Sequence, residues 1–210
     1  MSLLTVALYL WYVFFIIRRG WEFYFVKIYK VVVVLKSIIP NKIHIIGSVG
    51  SGKTTLARAL SYQLNIPYYE LDNVVWRRTK NGDIRNTPKE RNEQLYNIVN
   101  SNAWIVEGAH HKWVSQSFQK ADLILFLDVS VVKRIVRIIK RFILQLLNLE
   151  KANYKPTFKV LMKMFKWTND FEKDSKSEIL SMLKQHEEKL IILKDNTEME
   201  VSRVGLSRLN

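Results

Sequence analysis

Between the apolar tetrapeptide Ile43-His44-Ile45-Ile46 and a helical repeat of Leu56, Ala57, Leu60 and Leu64 stands the octapeptide Gly47-Ser48-Val49-Gly50-Ser51-Gly52-Lys53-Thr54. It fits the pattern G-x-x-x-x-G-K-[ST], in the order strand, loop, helix that the pattern requires. Glycines at these positions let successive backbone N–H groups turn inward as an anion nest, and the helix that follows adds the partial positive charge of its N-terminus. The segment from Gly47 to Thr55 is therefore a candidate cradle for nucleotide phosphates. Lys53 is placed to reach the outer phosphates, Thr54 to give a hydroxyl ligand to Mg²⁺, and Thr55 to sit near the α-phosphate. ATP and Mg²⁺ are the expected cofactors.

The remaining chain alternates strand and helix signals. Pro67 to Leu71 reads as a short strand ending at Asp72, Ala103 to Val106 as a strand ending at Glu107-Gly108, Asp122 to Leu127 as one ending at Asp128, and Lys189 to Leu193 as a fifth. Thr87-Pro88-Lys89-Glu90 is a capping box with proline at the first helical position. Ser175 with Glu178 carries the same signature for a late helix. The sum is a three-layer α/β domain on a doubly wound, parallel, five-stranded sheet, with ligands expected at the carboxyl ends of the strands.

That geometry brings Lys53, Asp72, Glu107 and Asp128 to one rim. Glu107 and Asp128 compete to hold the Mg²⁺ shell; the glycine after Glu107 allows close ligand approach, and Asp128 follows the stronger apolar run. Asp72 is the candidate for orienting an acceptor hydroxyl or taking its proton. His110 and His111 lie on a loop without further ligands at metal spacing and are candidate acceptor contacts. Trp76 either stacks on an acceptor ring or packs in the core.

Charge is unevenly placed. The 210 residues carry a formal +14. Residues 130–168 hold ten basic side chains against the single acid Glu150, residues 1–40 five against one, and the rest is nearly neutral. Lys133, Arg134, Arg137, Lys140 and Arg141 form one helical stripe opposite Val132, Ile135, Val136, Ile139, Phe142 and Leu146. Lys155, Lys159, Lys163 and Lys166 repeat the pattern. A one-sign stripe is read as a lid closing over phosphates, with a polyanion-binding face, nucleic acid or anionic membrane, and a plain solvated surface as the other readings. The chain has no cysteine, which excludes disulfides, thiolate metal sites and a cysteine nucleophile.

Gly47 to Thr55, Tyr69-x-Leu71-Asp72-x-x-x-Trp76, Trp104 to Gly108, and the strand at 122–128 with its arginine helix together resemble the small P-loop kinases of the adenylate kinase-like group, among them the proteins named DNA topology modulation proteins. The resemblance covers about residues 41–195. It implies a P-loop NTPase fold with a helical basic lid, in which Arg134 and Arg137, with Arg141 beside them, contact the transferring phosphate. It also matches Asp72 to the acceptor-side aspartate of shikimate and gluconate kinases. Nucleoside monophosphate kinases usually carry Asp-Gly-Phe-Pro-Arg where this chain has Glu107-Gly108-Ala109-His110-His111-Lys112.

Residues 1–40 form an apolar extension ahead of a P-loop domain at 41–210 whose lid is 130–168. Met1 to Ile17 bears no charge and is followed by Arg18-Arg19, so it reads as a membrane anchor, a start-site artefact or inert tail, or a helix packed on the domain. An anchor would leave the domain in the cytoplasm, where ATP is available. The leading expectation is an ATP-dependent phosphotransferase for a small acceptor of nucleotide, nucleoside or sugar-acid type. The alternatives are a nucleotide-dependent DNA-binding or DNA topology-modulating protein and a nucleotide-gated, membrane-associated module.

Overall fold

Ile43, Ile45 and Ile46 have no exposed surface, and neither does His44 between them. A strand buried on both faces is what a central parallel strand requires. In the computed structural model, which describes residues 40–79, 82–150 and 156–194, this strand is β1 (Lys42–Gly47). It pairs in parallel with β5 (Trp104–Gly108) on one side and β6 (Leu123–Leu127) on the other. β2 (Tyr68–Glu70) lies beyond β5 and β7 (Leu190–Leu193) beyond β6, giving the order β2-β5-β1-β6-β7, parallel throughout. The fold class expected from the sequence is the one observed.

Helices cover both faces. Ile43, Ile45, Leu125 and Leu127 pack against Leu56, Ala57 and Leu60 of α1 (Lys53–Leu64). On the other face Ile46, Val106, Ile124 and Phe126 meet Leu71 of α2 (Leu71–Val75), Leu95 and Val99 of α3 (Pro88–Val99), and Phe118 of α4 (Ser115–Lys120). The expected capping box is formed: the Thr87 side chain accepts from the Glu90 N–H at 3.2 Å, and Glu90 Oε2 accepts from the Thr87 N–H at 2.8 Å.

Register sets the site. Gly47 pairs with Leu127, Ile46 with Gly108 and Glu70 with Glu107. The strands therefore end together, and the residues following them share one rim.

Two local expectations differ from what is observed, and the burial of the helix Val131–Leu146 adds a third feature. Trp76–Thr79 (β3) and Gly82–Arg85 (β4) form an antiparallel hairpin outside the main sheet, which the helix-and-strand alternation did not suggest. The late helix does not begin at Ser175. After α5 (Val131–Leu146), α6 (Phe158–Asp170) runs through a π-type turn at Phe171–Ser175 into α7 (Lys176–Leu183), and Ser175 has helical backbone angles without a capping bond. The cap lies instead at Thr157, whose hydroxyl accepts from the Val160 N–H at 3.3 Å. Finally, α5 is inverted relative to water: Arg134 and Gln145 are buried beside Ile138, whereas Val132, Val136, Ile139, Ile143 and Leu146 are exposed. The extension at 1–39 lies outside the described residues. Among the described residues, no helix is long and apolar enough to cross a membrane.

His44 occupies an apolar position of β1, with its ring 4.5 Å from that of Phe118 and its Nδ1 bonded to the Ser117 hydroxyl. Burial pushes its pKa down to about 3, from 6.5. The folded protein thus keeps His44 neutral while the unfolded chain takes up a proton below pH 6.5. Stability falls as pH drops through this window and the effect is complete near pH 3. We expect a loss of about 2 kcal/mol between pH 6.5 and about pH 5. Urea midpoints across that range should show this slope, and His44→Asn should flatten it.

Candidate active site

The loop after β1 owes its path to two glycines with positive φ, Gly50 at 74° and Gly52 at 95°. Gly50 also has no room for a side chain, since a Cβ there would lie 2.8 Å from the Arg134 carbonyl oxygen and 3.0 Å from Ile138. The phosphate loop and α5 are thus in direct contact. Within the loop the Ser48 and Ser51 hydroxyls are buried without a hydrogen-bond partner among the described residues. Unsatisfied buried donors in an anion nest are suited to a phosphate oxygen. Lys53 folds across the loop, its Nζ donating to the Ser48 carbonyl at 2.8 Å. Thr55, two positions on, is exposed.

Thr54 Oγ1 donates to Glu107 Oε1 at 2.6 Å. This joins the start of α1 to the end of β5. Glu107 is 5% exposed, and burial raises its pKa, against the opposing pull of Lys53 and the Thr54 hydroxyl. Asp128 is engaged elsewhere, with its Oδ1 2.5 Å from Lys176 Nζ. Of the two competing carboxylates, Glu107 is the one on the Mg²⁺-type hydroxyl. Gly108 has a different reason for being glycine from the ligand approach read in the sequence: a Cβ there would lie 2.8 Å from Leu71. Among the described residues no cluster of three or more His, Asp or Glu forms a stand-alone metal site. Thr54 with Glu107 fits an ion that takes its remaining ligands from phosphates and water.

Asp72 sits in α2, directly after β2, with His110 Nε2 3.4 Å from its Oδ1. The imidazole, and more weakly Lys53 and Arg78, hold its carboxyl below the ordinary value. Lys53 is pulled the other way: burial lowers its pKa, Glu107 and Asp72 oppose that, and Arg141 and Arg134 add to it. Lys53, Asp72, Glu107, Arg134 and Arg141 therefore share one electrostatic environment.

The arginines of α5 face this centre. Arg137 Nη1 donates to the Ser51 carbonyl at 3.0 Å. Arg134 is 1% exposed, bonded through Nη2 to Glu172 and lying 5.4 Å over the Phe171 ring; its Nε and Nη1 have no hydrogen-bond partner among the described residues. Phe171 and Glu172 belong to the π-type turn, which places both beside one guanidinium. Arg141 reaches the Met164 sulfur, at 3.6 Å.

Sequence reasoning did not anticipate the His110–Asp72 contact, the His111–Glu178 bond of 2.9 Å that ties the loop after β5 to α7, or Arg91 lying 4.3 Å over Trp113. Each pairs residues from different elements. Trp76 is half-exposed on the hairpin, near Arg85.

The family model described as shikimate kinase matches residues 49–105, just over a quarter of the chain, from within the phosphate loop to β5. The protein named uncharacterized protein YqaC from Bacillus subtilis (strain 168) is 32% identical over 100 residues, which are 47% of this chain and 54% of that one. The match thus spans about half the length of that relative. Among solved structures, shikimate kinase from Bacteroides thetaiotaomicron aligns with a TM-score of 0.40 at 16% identity, covering 78% of this chain and 90% of that one. A gluconokinase from Sinorhizobium meliloti 1021 aligns at 0.41 and 15%, covering 76% and 85%. With its phosphate loop, its five-stranded parallel sheet and its match to the shikimate kinase model, this chain is a P-loop protein similar to the small kinases of the adenylate kinase-like group.

Proposed function

We propose that this protein transfers the γ-phosphoryl group of ATP to the hydroxyl of a small acceptor. The observation that carries the reading is the convergence of the Thr54–Glu107 bond, Lys53 and Asp72 at one rim of the sheet. In this reading the domain begins near residue 41, and the segment at 130–168 serves as its lid.

The phosphates lie in the loop from Gly47 to Thr55, and Lys53 leaves the Ser48 carbonyl to meet them. Mg²⁺ would be held by Thr54 with Glu107 behind it, while Asp128, the other carboxylate of the rim, is paired with Lys176; the ion's chemistry is to neutralise the donor phosphates. Asp72 is ionised at neutral pH, as an ordinary aspartate is, and His110 holds its carboxyl lower still, so it can orient an acceptor hydroxyl. The acceptor oxygen bonds to the γ-phosphorus while the bond to the bridging oxygen of the leaving ADP breaks. The hydroxyl proton passes to Asp72 and on to solvent. Arg134 and Arg137 neutralise the charge that develops during transfer.

The placement of these arginines argues against reading the stripe as a nucleic-acid face, because Arg134 is buried and Arg137 is bonded to the phosphate loop.

Radiolabelled ATP offered with nucleoside monophosphates, nucleosides and sugar acids should reveal the acceptor. With that acceptor, Asp72→Asn is expected to lower turnover by about 10² while ATP affinity barely moves. An equal loss of ATP binding would assign Asp72 a metal or structural role, and failure of every acceptor class in the presence of bound ATP would refute the transferase reading.

A further inference from the structure

The outer face of α5 has the polarity of a buried surface. Val132, Val136, Ile139, Ile143 and Leu146 recur at intervals of four and three residues, which puts them on one side of the helix. Each is between 40% and 72% exposed. The inner side, which meets the phosphate loop, carries Arg134 and Gln145. α6 repeats the mixture, for Phe158, Met162 and Trp167 are exposed among the exposed lysines Lys159, Lys163 and Lys166. An apolar stripe of this extent on the surface marks an interaction site.

We propose that the α5–α6 pair docks on the surface of an anionic lipid bilayer, with the stripe of α5 at the acyl boundary and the lysines at the headgroups. Charge complementarity selects this occupant. In the segment 130–168, Lys133, Lys140, Lys159, Lys163 and Lys166 are exposed along the two helices, apart from Arg134 and Arg137, which turn toward the phosphate loop. A second copy seated on the stripe would bring two such segments together, and their repulsion opposes association. Nucleic acid would gain from the lysines but leave the valines, isoleucines and leucine against water or phosphate. A bilayer rewards both, with apolar side chains in the interface and basic ones against anionic headgroups. Because the opposite side of α5 touches the phosphate loop, membrane contact would act on the lid itself.

The test uses the full chain sedimented with vesicles of phosphatidylcholine alone or mixed with phosphatidylglycerol. Binding to the mixed vesicles, weakened by salt, is expected. Ile139→Asp with Ile143→Asp should lower it by at least about tenfold, and Lys159→Gln or Lys163→Gln by about fivefold each. ATP affinity and circular dichroism should match the parent chain. The lysine variants test the proposal independently should the aspartates disturb folding. Binding unchanged in all these variants would place membrane affinity in residues 1–39 alone and overturn it. So would a dimer dissolved by Ile139→Asp in a protein that ignores vesicles, or duplex DNA binding with no vesicle binding at all.

Discussion

Lys53→Ala is expected to lower phosphoryl transfer by about 10³-fold, the scale lost when a preorganised donor to a developing negative charge is removed. The fold should survive. The Nζ makes one described hydrogen bond, to the Ser48 carbonyl of its own loop, and that carbonyl can turn to water at a loss of about 1 kcal/mol. ATP affinity should fall as well, because the ammonium faces phosphates in the ground state and in transfer. Burial lowers the Lys53 pKa, opposed by Glu107 and Asp72, so the substitution also removes a buried ammonium that these carboxylates favour. Isothermal titration with ATP, alongside turnover, checks the expectation. A folded Lys53→Ala protein with parental nucleotide affinity would refute the phosphate-loop assignment.

The second large effect is on stability. Glu172→Ala leaves the buried Arg134 guanidinium without its carboxylate, and an unpaired buried charge destabilises by about 3 kcal/mol or more. Arg134→Met should be far milder for the fold, since it removes the charge and fills the space against Phe171 with an apolar chain. Turnover should order the variants differently. Arg134→Met is expected to lower it by about 10² with ATP affinity little changed, as for a group acting on charge that develops in the transition state. Urea denaturation and turnover for both variants separate the two roles. If Arg134→Met were as unstable as Glu172→Ala and fully active once folded, Arg134 would be a structural residue only.

Acid stability and acceptor chemistry connect through the same packing. His44 is neutral because β1 is covered on both faces, and the Asp72 carboxyl is held below its ordinary value because His110 reaches it from the loop after β5. The loop after β5 also holds His111 against Glu178 of α7. One loop therefore links Asp72 to α7.

The sequence by itself determined the phosphate loop, the parallel sheet and the shared rim. These are properties of contiguous residues: an octapeptide with a defined backbone path, apolar runs long enough to be buried on both faces, and a capping box at Thr87. It also brought Glu107 and Asp128 to the same edge, because strands that pair in parallel end together. Which of the two meets Thr54 was decided by tertiary structure, through a bond between residues 53 positions apart. The same holds for Arg134 with Glu172, 38 apart, and Arg137 with Ser51, 86 apart. The sharpest divergence is in α5. Its sequence has an apolar face and a basic face, and periodicity cannot say which face turns inward. The tertiary packing decides it: Ile138 meets Gly50, Arg137 bonds to Ser51 and Arg134 is buried on that side, and the stripe of Val132, Val136, Ile139, Ile143 and Leu146 is left facing outward.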